Sequence, residues 1–155
     1  MKAMKKLASL LLALVMALAL AVPAFAVGTY SIIVTNTNKS ISINGKTYYA
    51  YKLFDATYSG DNVAYTVSEA FKAFTYTVDG VNYQGNALIT YLGTLTNDAD
   101  ALDAFAKAAL KYATDNEIAA AGSAEAANET AVIGLPAPGY YLVTGTATAP
   151  DNQTV

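Results

Sequence analysis

The stretch Gly134-Leu135-Pro136-Ala137-Pro138-Gly139-Tyr140-Tyr141-Leu142-Val143-Thr144 limits what this chain can fold into more than any other. Two prolines and two glycines leave the backbone few conformations and force a turn. The aromatic and β-branched or apolar run that follows at once reads as a buried strand. A rigid turn feeding a strand of this kind belongs to a sheet protein.

The N-terminus sets the compartment. Met1 to Ala26 opens with Lys2, Lys5 and Lys6, runs through an apolar core from Leu7 to Val22 and ends in Ala24-Phe25-Ala26. A basic start, a short apolar middle and small residues at the −3 and −1 positions describe a secretory signal cleaved after Ala26. The apolar run is about 16 residues, short of the ~20 that span a bilayer. Pro23 interrupts any helix just before the cut. The expected organisation is a cleaved leader, residues 1–26, and one exported domain, residues 27–155.

Removing the leader leaves six lysines, no arginine and 12 acids, a net charge of −6. Phosphate recognition relies on clustered Lys and Arg, so nucleic acid is an unsuitable partner. Anionic lipid surfaces would repel the domain, and no membrane association is expected after cleavage. The chain has no Cys and no His. Disulfides, thiolate metal sites and cysteine nucleophiles are excluded, as is a Ser-His-Asp triad. Paired carboxylates remain available for glycosidase-type chemistry, but the acids sit mainly in turns and on one helical segment. No catalytic residue, cofactor or metal is expected. The trio Asp98, Asp100 and Asp103 lacks the glycine and closing Glu of an EF-hand calcium loop. It reads as the start of a helix.

Short aromatic-rich strands fill the first half. Tyr30–Thr35 is a β-branched strand, and Thr47–Phe54 alternates Tyr49, Tyr51 and Leu53 against Tyr48, Ala50, Lys52 and Phe54. Asn44-Gly45 and Asp79-Gly80 are hairpin signals. The second joins Phe74–Val78 to Val81–Tyr83, and Val63–Val67 supplies another strand. Helical turns are plausible from Asn86 to about Leu95. Asn97 is placed to cap a helix over Asp98–Thr114, where Leu102, Phe105, Ala106, Ala109, Leu110 and Ala113 form one apolar stripe. Glu117–Thr130, Ala-rich with Gly122-Ser123, is expected to be a mobile connection. The spacing of the strands suggests a sandwich or barrel.

The order strand, polar turn, Tyr48-Tyr-Ala-Tyr-Lys-Leu-Phe-Asp55, helical segment and Leu135-Pro-Ala-Pro-Gly-Tyr-Tyr-Leu-Val-Thr144 resembles the N-terminal domain of Gram-positive fimbrial proteins. These are the isopeptide-forming, collagen-adhesin B-type surface proteins. The resemblance covers Gly28 to Thr148. It implies a mainly β fold, an immunoglobulin-like antiparallel β-sandwich with a helical insertion before the last strands. It also implies a cell-wall-attached pilus polymerised by sortase, other pilin subunits as partners, and attachment to host surface or matrix ligands.

Modules of this type with an internal isopeptide use a Lys on the first strand, an Asn or Asp on the last, and a buried acid. Low dielectric keeps the amine neutral and the acid protonated. Here Asn36 stands near the Lys position and Gly145 at that of the acid. The domain is therefore expected to lack the crosslink. Lys52, the one lysine inside a strand core, is the residual isopeptide candidate, against its reading as a snorkelling strand lysine. Leu135-Pro-Ala-Pro-Gly139 is a turn rather than a sortase signal, because Pro138 replaces the Thr that sortase attacks. A secreted ligand-binding domain, for carbohydrate or host protein, is the alternative function. It would use a solvent-facing row drawn from Tyr48, Tyr49, Tyr51, Tyr65 and Tyr83, residues that otherwise pack a sandwich core.

Overall fold

The computed structural model describes residues 30–149; the leader and its cleavage residues Ala24 and Ala26 lie outside them. In chain order the elements are β1 (Tyr30–Thr35), β2 (Thr47–Ser59), β3 (Asn62–Val67), β4 (Tyr76–Val78), β5 (Val81–Tyr83), α1 (Gly85–Gly93), α2 (Ala99–Asp115), β6 (Gly122–Glu125), β7 (Thr130–Leu135) and β8 (Gly139–Thr144). The fold is mainly β, and all of these strand pairings are antiparallel. β1 pairs with β7. β2 is the organising strand of a second sheet, bonded to β6 through Thr47–Ala50, to β8 through Tyr49–Asp55 and to β3 through Phe54–Ser59.

β8 explains why these pieces stack. Its side chains alternate, and both faces are buried. Tyr141 and Val143 pack with Ile32, Val34 and Ile133 of the β1–β7 sheet, whereas Leu142 joins Leu88, Leu92 and Phe105 of the helices. The β2 sheet is thus the middle of three layers, as a strand with a continuous apolar run requires. Burying each of the largest side chains contributes about 1.5–3 kcal/mol; Tyr141, Leu142 and Phe105 are at most 1% exposed.

The connection Pro136-Ala137-Pro138 does not close a hairpin. It carries the chain from the β1–β7 sheet to the β2 sheet, and the Tyr141 hydroxyl donates back to the Ala137 carbonyl at 2.6 Å. The Asp79-Gly80 hairpin forms as expected, with both residues left-handed (φ 50° and 78°). Phe105 anchors α2, with ring centroids 6.1 Å from Phe74 and 5.3 Å from Tyr76.

Five expectations are corrected. Asn44-Gly45 turns the chain but joins no hairpin, because Ser42 bridges to Thr148 while Thr47 pairs with Glu125. The N-cap of α2 is Asp98, whose carboxylate accepts from the Ala101 N–H at 2.9 Å, and not Asn97. Glu117–Thr130 is not a mobile connection. It contains β6 and a tight turn, since Gly122 lets this small-residue segment lie against the Gly134 carbonyl, which a Cβ would meet at 2.2 Å. β7 was not anticipated as a strand. Finally, β2 runs to Ser59 and carries a bulge between Lys52 and Phe54, so Leu53 and Phe54 both face the helical layer.

Candidate functional site

Three places concentrate chemistry, and the first contains Lys52. Its stem lies against the backbone of Gly139, and its ammonium meets the Asp55 carboxylate at 2.7 Å. The Lys52 side chain is 22% exposed, the geometry of a stem packed on the sheet with its charge at the edge. A cavity of about 300 Å³ opens beside the pair, bordered by Ser68, Glu69 and Ile118. The Ser68 hydroxyl donates to the Lys52 carbonyl at 2.7 Å, so it is committed to the backbone rather than to the ammonium.

The second place surrounds Asn36, and it was missed at the sequence level. Ala127 and Thr130 exchange backbone hydrogen bonds across a two-residue turn whose members, Asn128 and Glu129, are both left-handed (φ 52° and 59°). A left-handed Glu costs about 1–2 kcal/mol relative to its relaxed backbone. The contacts it makes repay that strain. The Glu129 carboxylate accepts from Asn36 Nδ2 (2.7 Å), Asn44 Nδ2 (2.7 Å), the Ile43 N–H (3.0 Å) and the Ser42 hydroxyl (2.5 Å). Its own N–H donates to Asn44 Oδ1 at 2.7 Å. Hydrogen bonds from Ser42, Asn36 and Ile43 hold the carboxyl below its usual titration range. Asn36 is equally occupied, donating also to the Ile41 carbonyl and accepting from the Asn38 N–H. The cluster ties the loop after β1 to the β6–β7 turn.

An acid therefore does stand beside Asn36, but it comes from the β6–β7 turn and not from position 145. Gly145 has a different reason to be small. A Cβ there would lie 2.3 Å from Tyr48 Cδ1, and Tyr48 is 2% exposed with its hydroxyl donating to the Thr146 carbonyl at 2.8 Å. The ring occupies the space that an acidic side chain would need. Lys52, Asn36 and Gly145 are not brought together: Lys52 packs at the bulge of β2 beside Gly139, whereas Asn36 belongs to the Glu129 cluster.

The third place is apolar. Phe54, Tyr65 and Tyr140 form the floor of a groove of about 420 Å³, with Ile89 and Leu92 of α1 and Leu102 of α2 as its walls. The Phe54 and Tyr140 centroids are 5.5 Å apart, and Tyr65 meets Tyr140 edge-on at 6.4 Å. Burial, with Tyr65 nearby, pushes the Tyr140 hydroxyl up to about 12. The tyrosines expected to form either a binding row or a core are divided. Tyr48 is buried, Tyr51, Tyr65 and Tyr83 are half-buried, and Tyr49 is 42% exposed. Of the aspartates weighed for calcium, Asp98 caps α2 and Asp103 pairs with Lys107. No group of three or more acids with metal-binding geometry occurs among the described residues.

None of the family models, curated proteins or solved structures compared with this chain matches it.

Proposed function

We propose that this chain is an exported structural module of a Gram-positive surface fimbria, an immunoglobulin-like sandwich in which α1 and α2 are the helical insertion. The observation that carries the reading is β8. The proline-turn strand that prompts the resemblance joins β2 in holding two apolar layers together, as the closing strand of a stalk module must. The Tyr141 hydroxyl bonding back to Ala137 supports the immunoglobulin-like assignment, since such sandwiches use a tyrosine in this manner at a strand corner. The described acids also favour a structural role: Asp98 caps a helix, Asp55 and Asp103 pair with lysines, and Glu129 holds a loop.

In this reading the leader is removed after Ala26, and the domain joins other subunits through sortase chemistry on regions outside it. It carries no internal isopeptide. Two experiments test the proposal. Cell-wall extracts of the producing bacterium, probed with antibody against residues 27–155, should give a ladder of high-mass species that survives boiling in detergent. A single species free in the medium would refute the fimbrial role. Intact-mass measurement of the exported domain should equal the sequence mass from Val27. A further deficit of about 17 Da, the ammonia lost when Lys and Asn condense, would show that a crosslink is present after all.

A further inference from the structure

Among the described residues β1 pairs with β7 alone, as half of a two-stranded sheet, so its other edge is open. The ladder identifies the groups that are spare. Thr35 faces Thr130, and the Asn36 N–H donates to the Glu129 carbonyl at 2.9 Å. Bonding alternates residue by residue along an antiparallel pair. Tyr30, Ile32 and Val34 therefore bond to β7, and Ser31, Ile33 and Thr35 turn their N–H and C=O groups to the open edge. Natural edges are usually blunted by a lysine, a proline or a bulge. Tyr30–Thr35 has no charged residue and no proline, and its register with β7 is unbroken. The side chains of Ser31, Ile33 and Thr35 are also exposed. Ile33 and Val132, at 63% and 56%, are the two most exposed large apolar residues described, and they face each other across the ladder.

We propose that this edge pairs with the same edge of a second copy of the chain, antiparallel, about a two-fold axis beside Ile33. Symmetry is the first argument. The spare groups lie at Ile33 and two residues to either side of it. Setting Ile33 opposite Ile33 of the second copy places Ser31 opposite Thr35 and Thr35 opposite Ser31. Every spare N–H then meets a spare C=O. A slip of one residue would turn Ile33 against the core face, and a slip of two would leave a spare residue beyond the end of β1. The side chains are the second argument. In this register Val132 and Ile33 of one copy and Ile33 and Val132 of the other form a single apolar row on a four-stranded sheet. The hydroxyls of Ser31 and Thr35 face one another, a favourable cross-strand pair. Charge is the third. The edge is neutral, and the first charged residue after β1 is Lys39, so no like charges are brought together along it. Pro150–Val155, which opens with a residue lacking an N–H and continues with an acid, offers the edge no such match. Pairing of this kind needs neither sortase nor a cell wall, so its failure would leave the fimbrial reading standing.

The test is sedimentation equilibrium of the exported chain, residues 27–155, together with NMR. An interface built on one strand pair is small, so a monomer–dimer equilibrium with a dissociation constant between about 10 µM and 1 mM is expected. Ile33→Lys and Ile33→Glu each set like charges together at the axis and should weaken association by about tenfold or more. Both should keep the unfolding temperature of the monomer, because the position is exposed. Mixing the two variants should restore a dimer, which only a residue facing its own copy allows. In a half-labelled sample, Ile32 Hα of one copy should contact Val34 Hα of the other, as this register requires. A protein that stays monomeric up to about 1 mM would overturn the proposal. So would a dimer indifferent to Ile33→Lys, or one that mixing the two variants does not restore. Slow hydrogen exchange at the Ser31, Ile33 and Thr35 amides of the dilute monomer would show the chain's own residues covering the edge, and would end the proposal as well.

Discussion

Gly145→Ala is the substitution that most directly probes why position 145 is a glycine. The added Cβ would lie 2.3, 2.4 and 2.7 Å from Tyr48 Cδ1, Cε1 and Cγ. Ordinary carbon contacts are about 3.5–4.0 Å, so ring or strand must shift by about 1 Å. The ring cannot swing freely. It is 2% exposed, it packs with Ala50, Tyr141 and Val143, and its hydroxyl is held by the Thr146 carbonyl. Overpacking of this kind costs about 1–3 kcal/mol, and displacing the hydroxyl adds about 1 kcal/mol. Against that, Gly→Ala stabilises by about 0.4–1 kcal/mol through the unfolded chain. The net loss is about 2–3 kcal/mol, or a fall in Tm of roughly 10 °C for a domain of this size. Urea and thermal unfolding of wild type, Gly145→Ala, Tyr48→Ala and the double variant measure it. In the Tyr48→Ala background the ring is gone, and Gly145→Ala should become nearly neutral, giving a coupling of about 2 kcal/mol. A single variant as stable as wild type, or costs that simply add, would show that the ring does not exclude a side chain at 145. Gly145→Glu should fare worse than Ala, since it adds a carboxylate to the same crowded space.

Three further outcomes are expected. Phe105→Ala, which empties a fully buried position against Phe74 and Tyr76, should cost about 3–5 kcal/mol in equilibrium unfolding. Asp98→Ala, which leaves the Ala101 N–H without its cap, should cost about 1 kcal/mol. The contribution of Glu129 depends on pH with a definite sign. Its folded pKa lies below the ordinary 4.5, so its stabilisation is complete above that value and is lost as pH falls through the folded pKa. The gap in Tm between wild type and Glu129→Gln should be constant near neutrality and should shrink below about pH 4.5; a gap that widens on acidification would contradict the donor cluster seen around the carboxylate.

What was legible in the sequence was local. The limits of β1, the Asp79-Gly80 hairpin, the stripe of α2 and the strand after Pro138 each follow from residues close in sequence: periodicity, turn chemistry and β-branching. What was not legible depends on partners far along the chain. β6 is a strand through its pairing with β2, where Gly122 also fits against the Gly134 carbonyl, and its alanines carry no strand signal of their own. Asn44-Gly45 has hairpin chemistry, yet the strands on either side of it find partners elsewhere. The bulge that turns Phe54 inward cannot be read from an alternating pattern. Of the site residues, Lys52 was placed on β2 as expected. Glu129 was not noticed, because nothing in Asn128-Glu129 announces a left-handed carboxylate.

A strand that serves two layers also has a place in time. Residues 139–144 are synthesised after every other described strand and both helices, yet neither the β1–β7 packing nor the helical layer is complete without Tyr141, Val143 and Leu142. The chain ahead of them already brings distant strands together, β1 with β7 and β2 with β6, but those pairings leave both apolar layers open on the side that β8 covers. Completion of both layers consequently waits for β8. On the exported reading proposed above, the two apolar layers of such a chain would meet only after β8 has followed the rest through.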